Sequence, residues 1–248
     1  MPELLILTLA AAATALATGL GAIPVFALGA ERAAALRPAL WGLAAGLMGV
    51  ASVVGLLLPA LDEGSGPGVA LGLLLGVGFL AVVRAAVERR DVHVGALRGA
   101  GVRRSVLVFT VLLVHSLPEG LAIGSAFASD RAGLSLFVVL AIGLQNIPEG
   151  TTAAIPMHDA GFTRAQQFWG AVATSLPQPA GAVIAYLLVD EVTALLPISF
   201  AFAAGAMLAL IVLELIPQAF KRATWHSALG GAAIGAAIML ALSVLVGV

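Results

Sequence analysis

The sequence predicts an all-α membrane protein with eight transmembrane helices, and three observations carry that expectation. Hydrophobic residues make up 61% of the 248 positions and charged residues 10%, far from the balance of a soluble globular domain. Eight apolar runs reach about the 20 residues that a helix needs to cross the hydrocarbon core. None alternates as a strand would, and a chain in hydrocarbon must satisfy its own backbone hydrogen bonds, which a helix does alone.

The first run, Leu4 to Leu28, follows Met1-Pro-Glu3. An acid stands where a signal peptide carries bases, and the run is longer than an h-region, so it reads as a span. Ala39 to Leu61 and Val69 to Val87 come next, separated by a short connection holding Asp62 and Glu63. The longest connection, 88–104, leads to a central pair, Ser105 to Ala128 and Gly133 to Pro156. Ala165 to Val189, Ile198 to Phe220 and Ser227 to Val248 complete the set. The expected organisation is one domain over 1–248, with units 1–87 and 165–248 flanking central helices 105–156.

Composition also excludes. With no cysteine, disulfides, thiolate metal sites and thiol catalysis are removed together. A net charge of -1 suggests no nucleic-acid partner. Eleven of the 12 basic residues fall on one side of an eight-span arrangement: Arg32, Arg37, Arg84, Arg89, Arg90, Arg98, Arg103, Arg104, Arg164, Lys221 and Arg222. Arg131 alone lies opposite. That asymmetry predicts a cytoplasmic basic side and both termini outside the cytoplasm. The outer side collects Glu3, Asp62, Glu63, Asp130, Asp190 and Glu191. These acids are either ordinary solvated loop residues or a surface that attracts cations.

The flanking units echo each other. Ala13-Thr-x-Leu16 with Gly21-Ala22 returns as Ala173-Thr-x-Leu176 with Gly181-Ala182, and Ala44-Ala-Gly-Leu-Met48 with Pro59 returns as Ala203-Ala-Gly-Ala-Met207 with Pro217. Ala70-Leu-Gly72 has a weaker echo in Ala228-Leu-Gly230. Each copy comes five helices after its original, so the triplets run oppositely through the bilayer. The expectation is a 3+2+3 inverted-repeat bundle, as in secondary transporters, with its site near the midplane.

The central pair holds two related hexapeptides, His115-Ser-Leu-Pro-Glu-Gly120 and Gln145-Asn-Ile-Pro-Glu-Gly150. An ionisable group at the centre of a spanning helix costs roughly 2.5 to 3.5 kcal/mol on insertion scales, so these groups need a partner. The i, i+4 spacing of His115 with Glu119, and of Gln145 with Glu149, puts both members of each pair on one helix face. Pro118 and Pro148 free carbonyls in the preceding turn, and Gly120 and Gly150 allow close helix approach. An imidazole, two carboxylates and an amide oxygen suit zinc or another divalent first-row ion. Carboxylate and amide oxygens hold such an ion less tightly than a thiolate cage, as release requires.

These hexapeptides resemble those of the ZIP family of divalent-metal transporters, whose fourth helix carries His-Asn-x-Pro-Glu-Gly and whose fifth ends its counterpart in Pro-Glu-Gly. The resemblance, closest to the bacterial branch, covers all eight spans. It implies import of zinc and related ions across the cell (inner or plasma) membrane by alternating access. Helices one, four, five and six would move against two, three, seven and eight, often in a homodimer. The metal is cargo, so no cofactor is expected. Carried over, the ligands are His115, Glu119, Gln145 and Glu149, with Met48 as a thioether ligand; by residue type alone Met48 is ordinary packing. Asp62 matches an entrance acid. Glu214 matches an exit-side acid, or is a snorkelling or paired structural one.

The family's second metal position departs here, with Ser116, Asn146 and Gln178 where relatives carry an Asn, an Asp or Asn, and an acid. Fewer carboxylates imply a mononuclear site, the three residues being vestiges or orienting groups for the primary ligands. Asp91 and His93 fall in the long loop, and His158, Asp159 and His226 in turns; four histidines in all make a metal-buffering loop an unneeded assumption. Two rival readings are an intramembrane zinc hydrolase and a channel-like facilitator. No His-Glu-x-x-His pair supports the first, and an enzyme is not expected. The ligand set does not rank zinc against cadmium, iron(II), manganese or cobalt.

Overall fold

The computed structural model describes residues 2–88, 100–219 and 225–248, and their side chains except at 87–88 and 100–107. The expectations for Arg89, Arg90, Asp91, His93, Arg98, Lys221 and Arg222 lie outside the described residues, and those for Arg103 and Arg104 outside the described side chains. Among those described there are eight helices long and apolar enough to cross a membrane and no strand. They are α1 (Pro2–Leu28), α2 (Arg37–Glu63), α3 (Gly66–Ala86), α4 (Val108–Phe127), α5 (Leu134–Asp159), α6 (Arg164–Glu191), α7 (Thr193–Ala219) and α8 (Trp225–Val246). Outward-facing residues such as Leu74, Val82 and Val244 are 70%, 69% and 81% exposed; they stay apolar because lipid, not water, is their solvent.

Several helices are interrupted where the sequence dictates. α1 breaks after Leu20, ahead of Pro24, and α6 breaks between Thr174 and Pro177. α6 starts on a capping box in which the Thr163 hydroxyl accepts from the Gln166 N–H and the Gln166 side chain accepts from the Thr163 N–H, satisfying two end donors at once. α2 and α7 each contain a wider, π-type turn, Val53–Leu57 and Ile211–Leu215. Pro59 and Pro217 follow these turns closely. Each proline lacks an N–H, so the carbonyls of Gly55 and Leu213 lose their regular donors and the helix widens instead of unwinding.

The helices pair as α1 with α5, α4 with α6, α2 with α8 and α3 with α7. Exchanging one with six, two with seven, three with eight and four with five maps this pairing onto itself. The crossings are close because glycine permits them. A Cβ on Gly150 would lie 1.8 Å from the Thr18 carbonyl oxygen of α1, and one on Gly120 would lie 2.3 Å from that of Gln178 in α6. Likewise Gly42 and Gly46 of α2 press on the Ala228 and Ala232 carbonyls of α8. The set α1, α4, α5 and α6 meets the set α2, α3, α7 and α8 mainly where α2 crosses α5 and α4 crosses α7. These seams are filled by side chains: Gly55 lies under the Phe137 ring, and the Ser125 and Ser199 hydroxyls bond at 2.5 Å.

Candidate metal site

The two hexapeptides face each other across the α4–α5 contact. His115, Glu119, Gln145 and Glu149 are all buried, with Glu149, at 6%, the most exposed of the four. One ligand atom each from His115, Glu119 and Glu149 falls within a 4.8 Å span. His115 Nε2 stands 3.2 Å from Glu119 Oε1 and 3.4 Å from Glu149 Oε1, yet it is out of hydrogen-bonding geometry with both. His115 Nε2, Glu149 Oε1 and Gln145 Oε1 are buried polar atoms with no hydrogen-bond partner. Such atoms are rare, because each left unsatisfied costs about 1 to 3 kcal/mol. Three in one pocket form a set of donor atoms that a cation would satisfy together.

The two glutamates differ. Glu119 accepts a hydrogen bond on each oxygen, from the Gln145 amide nitrogen at Oε1 and the Gln178 amide nitrogen at Oε2. Its carboxylate is held between α5 and α6. Glu149 lines a cavity of about 270 Å³ that runs past Pro148, Thr152 and Leu112 to Arg37, Arg84, Glu214 and Gln218 at the basic end of the bundle.

Around this centre Ser116, Asn146 and Gln178 are all hydrogen-bonded. Asn146 donates to the Thr14 carbonyl at 2.7 Å and to Gln178 Oε1 at 3.2 Å. Thr14 donates its hydroxyl to Gln178 Oε1 at 3.0 Å. The Ser116 hydroxyl lies 2.9 Å from both the Leu112 and the Thr174 carbonyls, tying α4 to α6. Thr14 went unnoticed in the sequence, although it sits in the Ala13-Thr-x-Leu16 motif that repeats.

Met48 is fully buried in the main apolar cluster together with Ala141 and Ile142 of α5. Gly55 lies against Phe137 and Val138, so about two turns back along antiparallel α2 Met48 is level with Leu144 and Gln145. Asp62 is not a free acid: Arg131 donates Nη2 to Asp62 at 2.9 Å and Nε to Glu63 at 2.6 Å. Those bonds, led by the one to Asp62, raise the Arg131 pKa above its ordinary value. Arg131 thus ties the α4–α5 turn to the end of α2. Glu214 is paired with Arg84 and Gln218. His158 lies 3.9 Å from Asp159, and both are about half exposed, as expected of a solvated turn.

A multi-pass helical membrane protein with an imidazole and two carboxylates gathered in its buried centre is of the kind that handles cations. A profile described as ZIP Zinc transporter matches residues 88–243, and the chain belongs to the ZIP zinc-transporter family. It is 33% identical over 242 residues to Zinc transporter GufA of Myxococcus xanthus, covering 93% of this chain and 95% of that one. It is 33% identical over 246 residues to Zinc transporter ZIPB of Bordetella bronchiseptica, covering 93% and 78%. A protein of Arabidopsis thaliana bearing a zinc-transporter name is 36% identical over 237 residues, 94% of this chain, which spans 38% of that longer protein. The family is one of transport, not of enzymes, so the hydrolase reading falls away.

Proposed function

We propose that the protein is a carrier that imports zinc and related divalent ions into the cytoplasm by alternating access, through a mononuclear site between α4 and α5. One observation carries the reading: His115 Nε2, Glu149 Oε1 and Gln145 Oε1, buried without a hydrogen bond, stand beside the Glu119 carboxylate between two helices that each carry a proline one residue before the glutamate. Two carboxylates balance a divalent charge. Met48, level with the site, supplies a soft thioether on the α2 side.

Three further features support the reading. The self-mapping helix pairing, and π-type turns at Val53–Leu57 and Ile211–Leu215 in keeping with the Pro59 and Pro217 echo, favour an inverted repeat of units 1–87 and 165–248 within one domain. The cavity from Glu149 to the basic end suits an inward-facing state in the cell membrane, both termini being outside. Asp62, bonded to Arg131, then sits at the closed outer end. A single ion follows from Glu119 Oε2 being engaged by Gln178 and from the amides around it, which bring no charge to neutralise a second dication.

Two measurements test this. Gel-filtered protein equilibrated with zinc is expected to retain one ion per chain by elemental analysis, and two would refute the mononuclear site. Zinc-loaded proteoliposomes are expected to accelerate uptake of labelled zinc by counterflow; flux without counterflow or saturation would favour the channel-like alternative. Replacing Gln178→Leu keeps side-chain volume but removes the donor to Glu119. Zinc affinity by calorimetric titration is expected to fall 10- to 100-fold, the usual loss when a ligand's orienting partner goes. An unchanged affinity would reduce Gln178 to packing.

A further inference from the structure

The π-type turn of α7 leaves a carbonyl that another helix repairs. Pro217 cannot donate to Leu213, and Arg84 of α3 does so instead, its Nη1 lying 2.5 Å from that oxygen. The same guanidinium places Nε 3.3 Å from Glu214 Oε1, while Gln218 donates to Glu214 Oε2 at 3.3 Å. Arg84, Glu214 and Gln218 line the cavity that Glu149 also lines. A cation leaving Glu149 by that cavity would move along a wall to which the pair contributes. The Arg84 and Glu214 side chains are 34% and 18% exposed, so water screens them less than it would a surface pair.

Bare, each member of the pair would obstruct release. A carboxylate alone beside the path would capture a dication, and a guanidinium alone would repel it. We propose that Arg84 is the resident counter-ion of the release path, holding Glu214 neutralised and positioned on the cavity wall, yielding it to a passing dication, and re-pairing once the ion has gone. This rests on the reading of the cavity as the release route. The event is an exchange of ion pairs, with no covalent bond made or broken. The bond to Leu213 keeps the guanidinium within reach while its other face lets go. Arg84 is a positioning residue, acting on the metal through Glu214.

The test uses the full chain in proteoliposomes, with zinc as the probe. Arg84→Gln is expected to bind a second zinc ion at least tenfold more tightly than the wild type does, and to lower the maximal uptake rate fivefold or more without raising the half-saturating concentration. The double variant Arg84→Gln with Glu214→Gln is expected to lose the second ion and recover at least half of the lost rate. A double variant as slow as the single one would show that Arg84 only caps a carbonyl, and would overturn the proposal. So would Arg84→Gln at wild-type rate with one ion. Should Arg84→Gln not fold, Glu214→Gln decides: a fivefold fall in rate with one bound ion supports the proposal, and a wild-type rate overturns it. Glu149→Ala separates the two levels. Uptake that survives it removes the release route itself, whereas uptake lost there beside an indifferent Arg84→Gln removes only the role of Arg84.

Discussion

Zinc uptake into proteoliposomes is expected to fall at least a hundredfold when Glu149 is replaced by alanine, and as far when Glu119 is. In the proposed site the dication would sit where little water screens it, and each carboxylate would balance half its charge. At about 4 Å and an effective dielectric of about 20, a unit pair attracts by about 4 kcal/mol and a dication by about twice that. A hundredfold loss corresponds to only about 2.7 kcal/mol, so it remains well below the gross interaction. The two variants should nevertheless differ in stability. Glu119 accepts from Gln145 and Gln178, so its removal strands two buried amide donors and should lower the melting temperature of the metal-free protein. Oε1 of Glu149 accepts from no protein group, and its removal should cost transport with a smaller effect on melting. Labelled-zinc uptake and thermal unfolding in detergent read the two quantities separately. Full uptake in either variant would remove the assigned site.

Gly150→Ala is expected to be the most damaging change that adds a single methyl group. Its Cβ would lie 1.8 Å from the Thr18 carbonyl oxygen. Backbone meets backbone there, so no rotamer change relieves the clash, and α1 and α5 must separate by more than an ångström. Overpacking of this kind typically costs 1 to 3 kcal/mol, sometimes more. The adjacent Glu149 would shift with its helix, so uptake should fall at least tenfold along with the melting temperature. Gly120→Ala should act likewise through the Gln178 carbonyl, at 2.3 Å. Gly78→Ala, with nothing within 4 Å of the added atom, is the control and should match the wild type in both measurements. Equal behaviour of Gly150→Ala and Gly78→Ala would refute the packing argument.

The eight spans were legible because lipid imposes one rule on every segment that crosses it, and apolar length reports compliance directly. That His115, Glu119, Gln145 and Glu149 would lie together in the interior was legible for the converse reason: polar groups at fixed helical spacing are anomalies in such segments. The helix interruptions were less so. Pro59 and Pro217 announce a disturbance, but whether the helix kinks, breaks or widens depends on which neighbour meets the freed carbonyl. For Leu213 that neighbour is Arg84, 129 residues away. Arg84 adds to the basic residues of one side, but a lone charge inside the third span is itself a signal. The Thr14, Asn146 and Gln178 network likewise joins three helices, and no local pattern encodes which amide faces which carboxylate. The expected Asp62 acid was visible as a charge; its bond to Arg131 was not, since it needs the ends of α2 and α4 brought together.

The contrast between kinds of helix contact has a mechanical consequence. Where α2 meets α8 and α1 meets α5, main chain rests on main chain at glycine, and such joints have no slack. Where α2 meets α5 and α4 meets α7, a phenylalanine ring and a pair of hydroxyls stand between the main chains instead. In the proposed transport cycle, joints of the first kind would carry each paired set of helices as one stiff unit, and any relative movement would fall on the side-chain seams between the sets.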